Sequence, residues 1–243
     1  MRRCGLWILV AITFLTGRVV AEDRMELHLV MAFDVSASVN DEEFDLQRAG
    51  TADALRSKLV AAAVERSPGG VAIAIVQWSS VTRQALGMDW VVLRNQADVI
   101  AYADEVDAMP RRLPGGGTMI HSGLAFAARL LEAAPGYARR QVIDIAANGQ
   151  SDGQNRLLET RGKLLSKGIV INGLAIEEDD TTLTQYFEAH VIGGPNAFVV
   201  TASGFDAFTE AMETKLLREI SGAMFSHDVD KPVSISPRLA AAN

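Results

Sequence analysis

Short, nearly continuous apolar runs alternate with longer amphipathic stretches along this chain. Leu27–Phe33, Val71–Trp78, Gln141–Ala147, Ile169–Ile176 and Ala197–Thr201 read as buried strands. Arg83–Trp90 reads as the hairpin partner of Val71–Trp78 and as a sheet edge. Glu42–Arg66, Gln96–Met109, Thr118–Glu132, Arg156–Lys167, Leu183–His190 and Phe205–Phe225 read as helices. Asn95 is placed to cap the second of these, Gly168 to end the fourth, and Phe208, Met212, Leu216 and Ile220 to line one face of the last. The alternation predicts an α/β fold: a doubly wound, mostly parallel six-stranded sheet with one antiparallel edge strand and helices on both faces.

The polar positions that interrupt this pattern fall at strand ends. Asp34-Val35-Ser36-Ala37-Ser38 follows the first strand directly and precedes the first helix, so a carboxylate and two hydroxyls crowd a strand-to-helix turn. In open α/β sheets ligands bind at the carboxyl ends of strands. Oxygen donors of this kind suit Mg²⁺ or another hard divalent ion such as Mn²⁺ or Ca²⁺. The plainer reading is that Ser38 or Asn40 caps the helix and Asp34 ends the strand. Two further segments bear on the choice: the glycine-rich turn Leu113-Pro114-Gly115-Gly116-Gly117-Thr118, and the run Gln141–Ala147 with Asn148-Gly149 after it.

In order and spacing, these three segments resemble the von Willebrand factor A domain and its metal-ion-dependent adhesion site. The resemblance spans about Glu26 to Phe225 and is nearest to the single-domain exported bacterial members of that family. It implies a cation site built from Asp34, Ser36, Ser38, Thr118 and Asn148. The serines would coordinate directly, Asp34 and Asn148 directly or through water, and Thr118 directly in one state. It also implies a protein partner that presents an acidic residue to the ion, and adhesion in place of catalysis. The chain departs from the family pattern at one position, where Asn148 stands in place of an aspartate. That change removes a negative charge. Asp152, four residues on, is either a solvated loop acid or a source of charge for the same site. A structural or interaction domain with a degenerate metal site is the main alternative.

Such a site needs the turns after the first and fourth strands to be neighbours. That requires the two strands to be adjacent, with the winding reversing between them.

An enzyme reading finds little support. No G-x-S-x-G elbow is present, and the glycine-rich turn lacks the lysine of a phosphate-binding loop. A seryl hydrolase would need a base. His28 lies within a strand and reads as a core or edge residue, and His121 reads as a surface residue on the opening turn of a helix. Trp78 and Trp90 read as core or sheet-edge packing, and Asp144, inside an apolar strand, as a partner for a lysine or arginine.

Composition adds the compartment. Arg2 and Arg3, the apolar stretch Leu6–Leu15 and Val19-Val20-Ala21 have the form of a secretory signal peptide cut after Ala21. The apolar stretch is short for a membrane span, and the expectation is a periplasmic or secreted protein with no stable membrane anchor. The domain is expected over residues 22–225 and a loose tail over 226–243. Cys4 is the only cysteine, so the mature chain has none. Cleavage removes three arginines and leaves 20 basic against 30 acidic residues, a net charge of about −10. That balance speaks against nucleic acid or an anionic membrane as partner. The acidic run Glu177–Asp180 reads as a solvated turn ahead of a helix.

Overall fold

The computed structural model describes residues 24–222. The signal peptide expected through Ala21 and the loose tail expected over 226–243 lie outside the described residues. No helix among the described residues is long and apolar enough to cross a membrane.

The sheet contains β1 (Arg24–Asp34), β2 (Val71–Trp78), β3 (Gln84–Leu93), β4 (Tyr137–Ala147), β5 (Val170–Ile176) and β6 (Val199–Ala202), in the order β3-β2-β1-β4-β5-β6. All neighbours pair in parallel except β2 and β3, whose antiparallel hairpin forms one edge. Two β-bulges interrupt that pairing near Ile75, which bends and twists an edge that faces solvent. From β1 the chain winds one way to β2 and β3. From β4 it winds the other way to β5 and β6. The adjacency of β1 and β4 is the switch point that the motif spacing required.

Alternating residues of the buried strands feed two cores. Leu29, Met31 and Phe33 face α1 (Asp41–Leu55), α2 (Lys58–Glu65), α3 (Gln96–Asp107) and α7 (Phe208–Ser221). Val30 and Ala32 face α4 (Ile120–Glu132), α5 (Gln154–Ser166) and α6 (Leu183–Tyr186), which runs on into a π turn over Phe187–Val191. Trp78 is buried between β1 and α4, where its Nε1 donates to the Ala32 carbonyl at 3.2 Å. Trp90, on the edge strand, is half-buried beside His28.

The long helix expected over Glu42–Arg66 is two helices. Ser57, in extended conformation, caps α2 by accepting from the Leu59 amide at 3.2 Å, and its hydroxyl donates to Glu213 on α7 at 2.5 Å. The break turns α2 onto α7, and its determinant lies far away in sequence.

One polar cluster sits wholly inside the fold. Lys215 of α7, fully buried, places Nζ 2.9 Å from Asp144 of β4 and 2.9 Å from Glu219 of its own helix. The approach to Asp144 lies off the hydrogen-bonding direction, whereas Glu219 accepts a hydrogen bond from the lysine and another from Asn172 at 3.2 Å. One cation thus serves two buried carboxylates. Burial, then the charge of Glu219, pushes the Asp144 carboxyl up to about 7 despite Lys215. Burial works against the lysine's charge, but the two carboxylates together hold its pKa above the ordinary value.

Candidate functional site

The crevice at the β1–β4 switch point is built from three connections. The first follows β1. Its backbone keeps the sheet ladder for one more residue, with the Val35 amide donating to Trp78 at 2.9 Å. It then turns because Asp34 Oδ1 accepts the Ser36 amide at 2.7 Å, an Asx-type turn. The helix that follows is capped by Asn40: its side chain accepts from the Glu43 amide at 3.0 Å, while Glu43 accepts from the Asn40 amide at 2.7 Å. Asn40 thus caps the helix and Asp34 ends β1, as the plainer sequence reading has it, but the helix cap makes no use of the Ser36 and Ser38 hydroxyls.

Those hydroxyls turn to each other and to the end of β4. Ser36 Oγ and Ser38 Oγ lie 3.0 Å apart, and Ser38 Oγ donates to Asn148 Oδ1 at 2.8 Å. The Asn148 amide group donates back to the Ser38 carbonyl at 3.0 Å. Asp34 and Ser36 are fully buried, Asn148 nearly so, and Ser38 is exposed, so the cluster is deep at the carboxylate and open at Ser38. Asp34 Oδ2 is buried and has no hydrogen-bond partner among the described residues. Burial pushes this carboxyl up to about 6, while the hydroxyl and amide of Ser36, the Asn148 backbone and the charge of Arg111 pull it down.

The second connection is the glycine-rich turn, and each of its three glycines abuts a different neighbour. A Cβ on Gly115 would meet Ala37 Cα at 3.0 Å, one on Gly116 would collide with the hydroxyls of Ser79 and Ser80, and one on Gly117 would meet Asp152 Oδ2 at 3.0 Å. Hydrogen bonds from backbone amides hold the turn against the same segments: Ala37 N–H donates to the Gly116 carbonyl at 2.8 Å, and Gly117 N–H donates to the Ser80 hydroxyl at 3.0 Å. Thr118 is therefore held against the third connection, the β4–α5 turn. Asp152 Oδ2 accepts the Thr118 amide at 3.2 Å, and Asp152 N–H donates to the Thr118 carbonyl at 2.8 Å. Of the five expected residues, Asp34, Ser36, Ser38 and Asn148 form one connected cluster. Thr118 reaches it through its loop, with the bonds above made by its backbone.

Two residues that sequence reasoning passed over or left open shape this crevice. Arg111, in the α3–α4 connection, donates to the carbonyls of Val35 at 3.2 Å, Ser36 at 3.5 Å and Val39 at 2.8 Å, pairs with Asp41 at 3.1 Å and lies over the Phe44 ring. It pins the β1–α1 loop from behind. Its partners are backbone oxygens, which carry no residue signature. Asp152 faces the threonine loop, although its sequence context is that of any loop acid. His121 differs from its expected surface position: it is 8% exposed, covered where the β4–α5 turn passes close, and its Nδ1 has no partner. Burial, then Arg156, lowers its pKa. His28 is buried, with Nε2 3.0 Å from the Pro135 carbonyl. In the Glu177–Asp180 turn, Glu177 accepts the Thr184 amide at 2.9 Å and Asp180 the Thr182 amide at 2.9 Å.

The donor set fits a hard cation. It offers a buried carboxylate oxygen without a partner, two hydroxyls within 3.0 Å of each other and an amide oxygen, all at one strand-end crevice. No group of three or more His, Cys, Asp or Glu side chains placed for a metal occurs among the described residues, so any ion here would rest mainly on hydroxyl and amide oxygens.

A protein family described as "Protein of unknown function (DUF1194)" matches residues 24–224. The chain belongs to this family. No curated protein matches it in sequence. Among solved structures, it is similar to proximal thread matrix protein 1 from the mussel byssus with a zinc-occupied metal-ion-dependent adhesion motif. The identity is 19%, with a TM-score of 0.57 over 83% of this chain and 47% of that one. It is also similar to a von Willebrand factor type A protein from Catenulispora acidiphila (15% identity, TM-score 0.56, 80% and 42% covered). A third is the von Willebrand factor domain of the type V pilus tip protein Mfa5 from Porphyromonas gingivalis (12% identity, TM-score 0.53, 80% and 96% covered). This DUF1194 chain spans about half the length of the mussel protein. Its fold is that of a von Willebrand factor A domain.

Proposed function

We propose that this chain is an exported, metal-ion-dependent protein-binding domain of the adhesion type. Asp34, Ser36, Ser38, Thr118 and Asn148 would hold a divalent ion, Mg²⁺ or alternatively Mn²⁺ or Ca²⁺. The observation that carries the reading is Asp34 Oδ2, a buried carboxylate oxygen without a partner, beside two hydroxyls that the helix cap leaves free. A buried carboxylate oxygen without a partner is costly, and a bound cation removes the cost. The ion would supply one thing, an electrophilic position for an oxygen ligand from outside. The chain's own residues do the rest. Asp34 contributes the charge, Ser36 and Ser38 contribute neutral donors that leave the ion electron-poor, and Arg111 holds their loop in shape. A partner protein presenting a carboxylate is the fitting ligand. The pilus and byssus proteins with this fold support an interaction role over a catalytic one.

A second reading has its own observation. Asn148 exchanges two hydrogen bonds with Ser38, so the crevice is closed on itself by neutral groups. In that reading the site is degenerate and the domain binds partners through other surfaces. Titration calorimetry with Mn²⁺ separates the two. The parent chain is expected to bind one ion, and Ser36→Ala with Ser38→Ala to abolish binding while leaving the fold intact. Equal behaviour of parent and variant would favour the degenerate site.

A further inference from the structure

The crevice is short of negative charge, because Asn148 contributes an amide at the end of β4 and Asp34 is the only carboxylate among the five proposed ligands. A second carboxylate stands at the next turn. Asp152 is bound to the threonine loop by a reciprocal pair of hydrogen bonds, its Oδ2 accepting from Thr118 N–H at 3.2 Å and its own N–H donating to the Thr118 carbonyl at 2.8 Å. At Gly117 the loop passes close, since a Cβ there would stand 3.0 Å from Oδ2, a tight contact that the carboxylate would have to shift to relieve. The carboxylate is thereby turned toward Thr118. Neither a lysine nor an arginine forms an ion pair with it among the described residues. Its charge is uncompensated, it is accessible to water, and it is clamped to one of the loops that frame the crevice.

We propose that Asp152 supplies the negative charge that Asn148 omits, acting as an outer anionic partner of the ion in the crevice. This rests on the metal-binding reading of the site and deepens it. The charge has moved from the end of β4 to the turn after it, and the glycine-rich loop carries the connection. Because Asp152 is exposed, water screens its attraction for the ion, so its effect is smaller than that of a carboxylate at position 148.

Asp152→Asn isolates the charge, because an amide oxygen can still accept from Thr118 N–H. Mn²⁺ titration of the parent, Asp152→Asn and the double variant Asp152→Asn with Asn148→Asp is the test, together with metal-free melting of each. Asp152→Asn is expected to weaken Mn²⁺ binding about fivefold with metal-free melting unchanged. The double variant is expected to recover at least the parent affinity. If the parent binds Mn²⁺ and Asp152→Asn binds it equally well, the proposal is overturned and the crevice reading stands. A lower metal-free melting temperature with unchanged Mn²⁺ affinity overturns it too, assigning Asp152 only to the start of α5. If the parent binds no Mn²⁺, the crevice reading falls and takes this proposal with it.

Discussion

Two buried carboxylates stand on the paired central strands, Asp34 at the end of β1 and Asp144 within β4, and the fold treats them differently. Asp144 is given a cation by the chain itself: Lys215 stands 2.9 Å away, shared with Glu219, and nothing in the cluster reaches solvent. Asp34 receives one amide hydrogen bond on one oxygen and none on the other, and hydroxyls and an amide lead from it to the surface at Ser38. The interior cluster carries its own cation, which ties α7 to the sheet, although Asp144 accepts no hydrogen bond on either oxygen. The crevice lacks a cation of its own, with Arg111 directed at the backbone behind the loop. A covalently supplied ammonium makes a structural element. We read a carboxylate left with neutral company at a strand end as a place for an ion from outside.

Removing the interior cation gives the largest expected effect. Lys215→Met leaves Asp144 and Glu219 buried without a counter-charge, and should destabilise the domain by about 3–5 kcal/mol at neutral pH, as read by urea denaturation. Milder acid should recover part of the loss by protonating the carboxylates. A change within about 0.5 kcal/mol would mean that the cluster is already neutral.

The next effect is a pH dependence. Burial and Glu219 raise the Asp144 pKa in the folded state to about 7, above its unfolded value. The folded state therefore holds a proton that the unfolded chain has released. The stability linked to this group is present below about pH 4 and is lost as pH rises toward about 7. Asp144→Asn mimics the protonated form and keeps an acceptor near Lys215, which retains Glu219 as partner. The variant should match the parent near pH 4 and exceed its stability by on the order of 2 kcal/mol at pH 8, measured by denaturation at both values. A constant difference across that range would contradict the proton assignment.

The smallest of the three belongs to the crevice. Asn148→Asp places a second charge beside the Ser38 hydroxyl, and most of its gross attraction for an ion is offset by dehydrating the carboxylate. Cation affinity should rise about tenfold, equivalent to about 1.4 kcal/mol. Melting temperature should rise only when the metal is present. Unchanged affinity would mean that position 148 does not act on an ion.

The contrast between the two clusters was only half visible in the sequence. The apolar runs identify the buried strands, and a site shared by Asp34, Thr118 and Asn148 requires β1 and β4 to be neighbours, as they are. Asp144 inside an apolar strand calls for a basic partner, yet nothing local marks Lys215, 71 positions on by sequence number, as that partner. The break at Ser57 was hidden for the same reason, because its hydroxyl answers to Glu213. Arg111 acts on backbone carbonyls, and His121 is covered by a turn that packs over it only in three dimensions. Periodicity and strand-end motifs are local. Partners of buried charges, latches onto backbone and covered helix ends are set by tertiary packing.

The most direct measurement is anomalous diffraction from crystals of the parent protein grown with Mn²⁺. A single peak within about 2–2.5 Å of the Ser36 and Ser38 hydroxyls, beside Asp34 and with none at the Lys215 cluster, is the result expected here. Well-ordered crystals with no peak at Asp34, or with manganese bound only elsewhere, would contradict the claim that the crevice is the cation-binding half of the pair.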